Sequence, residues 1–182
     1  MRKLTVRLAL ACLTVLVGVV GVAGVAWATY PGSNNGEIGF ARRDASGNAQ
    51  IFTALPNGAG LHQLTTGSGF NACAAFSPDG KQIAFCSGRS GAFEIWAMKQ
   101  NGHDQHQVTN LGGFAIFPDY SPDSAKIAFS GTEGDAQTDQ IYVVGADGSG
   151  FRALTSDASN NDYPAYSPDG SKIAFISDRT GV

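Results

Sequence analysis

Charge is what this chain has least of. Lys, Arg, Asp and Glu together make up 15% of the 182 residues, where an ordinary globular domain carries about a quarter. The 12 basic side chains are outnumbered by 15 acidic ones and form no stripe interleaved with aromatics, so the electrostatic footprint of a nucleic-acid binder is missing. Recognisable catalytic signatures are missing as well: there is no G-x-S-x-G elbow, no Walker-type glycine loop, no H-E-x-x-H and no true EF-hand loop. No catalytic residue, cofactor or metal ligand is therefore expected. Cysteine is scarce; of the three, Cys12 lies in an N-terminal apolar run, leaving Cys73 and Cys86 for the rest of the chain. The length suits one domain with a real core and is too short for two of ordinary size.

What is abundant is glycine, 24 residues, set among aromatic and β-branched positions, a composition that suits many short strands joined by tight turns. The N-terminus is separate in character. "MRKLTVR" supplies positive charge, and Leu8 to Ala28 then run without a charged residue, ending in Ala26-Trp27-Ala28. Residues 1–28 read as a signal peptide cut after Ala28, or, since the run is long enough to cross a bilayer, as a retained membrane anchor. Either way residues 29–182 are expected outside the cytoplasm, periplasmic, at the cell surface or secreted, with the membrane touched only through the N-terminal segment.

The strongest signal is repetition. "FSPDGKQIAF" from Phe76 returns as "YSPDSAKIAF" from Tyr120 and "YSPDGSKIAF" from Tyr166, at intervals of 44 and 46. Ile-x-Phe occurs at Ile38/Phe40, Ile83/Phe85, Ile127/Phe129 and Ile173/Phe175. The first three are followed by Ile51-Phe52, Ile95-Trp96 and Ile141-Tyr142, then by Asn57-Gly58, Asn101-Gly102 and Asp147-Gly148, then by Leu64-Thr65, Val108-Thr109 and Leu154-Thr155. Each period holds four short apolar segments separated by turn residues, the size of one propeller blade. Ser-Pro-Asp-Gly closes a hairpin between the first and second strands, and Asn-Gly or Asp-Gly one between the third and fourth. The spacing predicts Phe76, Tyr120 and Tyr166 in equivalent places on innermost strands, with Ile83, Ile127 and Ile173 on the next.

Taken together, these motifs resemble the TolB-like, WD40-like (PD40) propeller repeat, and the resemblance covers Gly36 to Val182. It implies an all-β fold, a partial, open β-propeller of about three and a half four-stranded blades. A complete ring of this kind has six or so blades, and its first blade borrows an innermost strand from the C-terminus. Here the first repeat has no aromatic-SPDG strand, and the sequence ends soon after the last SPDG, so an incomplete propeller, a fragment of a larger one, is expected. The resemblance says little about activity, because propellers host unrelated functions. Two readings follow: an exported, non-enzymatic binding or scaffold module, or the propeller portion of a prolyl-peptidase-like α/β-hydrolase whose catalytic domain is absent.

Spacing also locates the adjustable part. Third-to-fourth strand intervals are constant, whereas the second-to-third interval is 13 from Ile38 to Ile51, 12 from Ile83 to Ile95 and 14 from Ile127 to Ile141. Those loops open on the same face as the blade linkers, and variable loops on a rigid scaffold are the usual place for recognition. Arg42, Arg43, Asp44, Arg89, Glu133, Asp135, Asp139, Asp157 and Asp162 are the candidate contacts for a protein, peptide or glycan partner. The bland reading is that they only bridge strands: Arg42, Arg43, Arg89 and Arg179 recur after the second strand, where such residues bond nearby carbonyls. Asp157, Asn160, Asn161 and Asp162 make an oxygen-rich loop whose order suits turns better than calcium. His103 and His106, at the entry to a strand, point to opposite faces and do not share a metal. Cys73 and Cys86 come within about one residue of facing each other across the SPDG hairpin; register decides between a bridge and two separate packing residues.

Overall fold

Three Ser-Pro-Asp turns and three Asn-Gly or Asp-Gly turns cut the chain into short pieces. The structure, a computed structural model that describes residues 36–179, contains strands and no helix among them. The segment read as a signal or anchor, residues 1–28, lies outside the described residues. Strands β1 (Ile38–Arg43), β2 (Ala49–Ala54) and β3 (His62–Gln63) form a three-stranded sheet. Two complete four-stranded sheets follow: β4 (Asn71–Phe76), β5 (Gln82–Ser87), β6 (Glu94–Lys99) and β7 (His106–Gln107), then β8 (Gly112–Tyr120), β9 (Lys126–Glu133), β10 (Gln140–Gly145) and β11 (Arg152–Ala153). A last pair, β12 (Asn161–Tyr166) and β13 (Ile173–Ser177), carries the first two strands of a fourth unit. Every pairing is antiparallel between sequence neighbours, so the sheets stand as successive blades of an open propeller, as the repeat predicts.

The SPDG turn repeats bond for bond. Ser77 Oγ donates to Asp79 Oδ1 at 2.7 Å and accepts from the Gln82 amide at 2.9 Å, while Asp79 Oδ1 also accepts from the Lys81 amide. Ser121 with Asp123 and Lys126, and Ser167 with Asp169 and Lys172, do the same. The fourth turn residue needs a left-handed backbone, Gly80 at φ 71° and Gly170 at φ 69°, which glycine adopts without steric cost. The middle copy places Ser124 there at φ 61°, and its hydroxyl accepts the Asp79 amide of the preceding blade at 3.1 Å. The serine in glycine's place thus also ties two blades together.

Phe76, Tyr120 and Tyr166 hold equivalent places on the inner strands and Ile83, Ile127 and Ile173 on the next, as predicted, and the structure adds the register: Phe76 faces Ile83, Tyr120 faces Ile127 and Tyr166 faces Ile173. Alternation then sends each second strand's residues to two neighbours. Phe85 and Ile83 pack with Ile51 of the first blade and Met98 of their own, whereas Ala84 and Cys86 face Ala115 and Phe114 of the third. The core therefore lies between sheets, and each blade depends on the next.

Two details depart from simple repetition of strands. The fourth strands are only two residues long and exposed, ending before Leu64-Thr65, Val108-Thr109 and Leu154-Thr155. In these dipeptides the threonine hydroxyl accepts the amide of the third-strand isoleucine, Thr65 from Ile51 at 2.8 Å and Thr109 from Ile95 at 2.9 Å, so apolar spacing that looks like strand marks a clip after it. Each innermost strand is also bulged, with Cys73, Phe117 and Tyr163 at φ 56°, 55° and 55°. The bulge puts Cys86 opposite Ala72 and not Cys73, and no disulfide joins the two cysteines. Both line the same apolar cluster.

Candidate binding face

The loops that join second to third strands and the linkers that join blades lie at one end of the strands, held from beneath by a buried polar residue preceding each third-strand isoleucine. Gln50 Oε1 accepts Thr65 Oγ1 at 2.8 Å and Asn71 Nδ2 of the next blade at 2.9 Å, and its amide donates to the Gly67 carbonyl. Glu94 accepts Thr109 Oγ1 and the Leu111 amide. Gln140 accepts Asn161 Nδ2 and donates to the carbonyls of Asp157 and Ser159. Sequence reasoning missed these three. The signal was present: Gln, Glu and Gln fall at one position of the period, with threonine always 15 residues later.

The structure sorts the nine candidates. Asp44 Oδ1 closes its own turn by accepting the Ser46 and Asn48 amides, and Arg43 donates to the Gly47 carbonyl at 2.5 Å. Arg42 lies 5.8 Å over the Phe52 ring. Arg89 is a clamp: Nε donates to Ser87, one terminal nitrogen to Asn71 at 2.8 Å and the other to Gln105, while the guanidinium stacks 4.7 Å over Trp96. Asp157 accepts from Ser159, Asn161 and Arg179. Glu133 and Asp135 are exposed at the third-blade loop. Arg89→Ala is accordingly expected to cost about 1–2 kcal/mol of stability, with Arg89→Lys recovering only part because lysine lacks the planar fork; urea midpoints check it.

Asp139 and Asp162, 23 residues apart in sequence, are brought together. The Asp139 carbonyl accepts the Asn161 amide at 2.8 Å and its amide donates to Asn160 Oδ1, so the loop before β10 is stitched to the start of β12. Burial pushes the Asp139 carboxyl up to about 7, reinforced by Asp162 and, less strongly, by Asp178. Burial raises Asp162 as well, offset in part by hydrogen bonds from Ser130 and Asp139. Asp162 Oδ1 is buried with no hydrogen-bond partner, and a proton on the Asp139 carboxyl is a donor that would suit it. Asp119, in the bulge of β8, is pushed up to about 6 by burial, partly offset by the Tyr166 amide it accepts at 2.7 Å.

Among the described residues no three His, Cys, Asp or Glu side chains cluster as a metal site. His106 is exposed on β7, its ring against the Asp104 carbonyl. Asn160 is taken up by Asp178, which it meets through both its backbone and side-chain nitrogens at 2.7 Å.

Residues 103–182 match the TolB beta propeller domain family, PD40. No curated protein matches the chain. Among solved structures, a TolB-type protein from Agrobacterium tumefaciens is 27% identical with a TM-score of 0.72, over 78% of this chain and 50% of its own. TolB from Acinetobacter baumannii is 25% identical with a TM-score of 0.70, over 81% of this chain and 36% of its own. A puromycin-hydrolyzing peptidase of Mycobacterium tuberculosis, 17% identical with a TM-score of 0.63 over 87% of this chain and 26% of its own, shares the fold. The chain spans half or less of the length of each.

Proposed function

We propose that this chain, whose repeats are of the TolB propeller type, is an exported, non-enzymatic binding or scaffold module that receives a protein, peptide or glycan on its variable-loop face. One observation carries the reading. At one end of the strands the SPDG turns repeat bond for bond, whereas at the other each loop has its own length and charge, "ARRDASGN" giving way to "SGRSGAFE" and "GTEGDAQTDQ". A surface with only a scaffolding duty has no need to vary where its opposite face stays constant.

Within that face Arg42, Glu133 and Asp135 are the side chains whose charged groups are not consumed in holding a loop, and they are the proposed contacts. The charges change from basic on the first blade to acidic on the third, which suits a partner with both signs along its length. Export rests on the basic, then apolar, N-terminal segment.

Photo-crosslinking residues placed at 42, 133 and 135 in living cells are expected to give discrete adducts, absent when the same group replaces Asn57 or Asp147 on the constant face. Equal adducts from both faces would remove the reading. A periplasmic reporter enzyme fused after Val182 is expected to be active, and an inactive fusion would remove export.

A further inference from the structure

One residue before each of Gln50, Glu94 and Gln140, and again 23 residues further on, the repeat sets a pair of positions beside the seam between one blade and the next: Ala49 and Ala72, Phe93 and Ile116, Asp139 and Asp162. The backbone is the same at the second and third seams, the Phe93 carbonyl accepting the Ala115 amide at 2.7 Å as the Asp139 carbonyl accepts the Asn161 amide at 2.8 Å. The side chains differ in kind. Ala49 and Ala72 are buried and apolar, and Phe93 and Ile116 pack in one apolar cluster. The third seam puts two carboxyls in those places.

Nothing there offsets the charge of an ionised pair. Asp139 faces Asp162 on β12 and Asp178 just after β13, with Tyr142 on its own strand and Glu133 beyond. Asp178 is taken up by Asn160, and the cation of the seam, Arg179, by Asp157 and Asn161. A proton on Asp139 gives the buried Asp162 Oδ1 a donor; without it two carboxylates share a partly buried seam, which is costly. The third-blade loop depends on this seam. Among the described residues it is bonded to other segments at two places, the Gly134 amide on the Leu111 carbonyl at 3.1 Å, and Asp139, whose amide donates to Asn160 Oδ1 at 3.2 Å and whose carbonyl accepts from Asn161. The bonds of residues 135–138 stay within the loop and its hinge.

We infer that the third seam is a latch on the variable-loop face worked by a proton: held between Asp139 and Asp162 it fastens the third-blade loop to the fourth blade, and its loss drives the carboxylates apart and frees the loop that carries Glu133 and Asp135. The latch is a property of the chain; its use in regulating recognition rests on the reading of that face given above. Burial raises Asp139 to about 7, so the latch is closed in acid and opens as pH rises through neutrality.

Hydrogen exchange of the purified full chain, expressed as protection factors so that the intrinsic pH dependence cancels, reads the latch without a partner. The Asp139 and Asn161 amides are expected to lose protection by roughly tenfold between pH 6 and 8, while Ala115, the equivalent amide of the second seam, keeps its own. Asp139→Asn, and Asp139→Phe combined with Asp162→Ile, which transplants the second seam, are each expected to keep Asn161 protected at pH 8; should the double variant not fold, Asp139→Asn decides. An equal loss at Ala115, no loss at Asn161, or a full loss surviving in Asp139→Asn would overturn the latch. In cells held at external pH 6 and 8, crosslinking from residue 133 is expected to be the stronger at pH 6 and that from residue 42 to stay constant. Equal adducts from residue 133 at both pH values would overturn the regulation, whereas no adducts from either residue would count against the binding face and leave the exchange result to judge the latch.

Discussion

Phe129→Ala is expected to destabilise the chain by roughly 3–5 kcal/mol, and Phe175→Ala by about 1 kcal/mol or less. The two residues occupy the same place in the repeat, the phenylalanine of Ile-x-Phe on a second strand. Their surroundings differ. Phe129 is 0% exposed, paired across the sheet with Tyr142 and stacked on its ring at 5.6 Å, with Phe151 beyond at 6.4 Å. Truncation there leaves a cavity between two blades that neither sheet can close without giving up its own hydrogen bonds. Phe175 has Ile141 and Leu154 across an open groove, so water already reaches it and little transfer energy is at stake. Urea titrations of both variants would give the midpoints. Equal losses would mean that blade-to-blade packing is not what holds the arc together.

The same contrast shows what the sequence could reveal. Strands, hairpins and the equivalent places of Phe76, Tyr120 and Tyr166 are readable because they follow from local facts, a period-2 alternation bounded by turn residues whose φ is fixed by proline or freed by glycine. The fourth strands were misplaced by two residues because Leu-Thr has strand composition, while its threonine hydroxyl serves the neighbouring strand's amide. Arg89 and Arg179 sit where an arginine bonds near at hand, and they do; that the Arg89 guanidinium also covers an aromatic on the next strand needs the sheet to be built first. The bulges at Cys73, Phe117 and Tyr163 were not readable, since three different side chains occupy the left-handed position and none is glycine. They matter because the extra residue decides the cysteine register. The proximity of Asp139 to Asp162 was equally hidden: each lay in a candidate loop, but their meeting depends on how β12 docks beside the loop before β10.

That pair makes the chain's stability depend on pH in a direction opposite to most acidic surfaces. Asp139 at about 7, Asp162 raised, and Asp119 at about 6 all hold protons in the folded chain that the unfolded chain, with carboxyls near 3.8, has released. Between about pH 4 and 7 the folded state therefore binds more protons, so stability is greatest at the acid end of that window and is lost as pH rises through the folded values. Allowing for solvent screening of a half-buried site, the Asp139 share is on the order of 1–2 kcal/mol. Opposing it, Asp169 at about 2, lowered by Ser167 and Ser171, and Asp123, lowered by Ser121, give stability that is present above 3.8 and lost on further acidification. The melting temperature should accordingly rise as pH is lowered from 8 to about 5 and fall again below 4, with about 2–4 °C for each kcal/mol in a domain of this size. Asp139→Asn keeps a donor for the Asp162 oxygen and cannot ionise, so it is expected to raise stability at pH 7.5 and flatten the slope between 6 and 7.5. Asp135→Asn, on an exposed carboxyl four residues away, should leave the profile as it is. A full wild-type slope surviving in Asp139→Asn would show that the two carboxyls do not share a proton, and would leave Asp119 as the group to replace next.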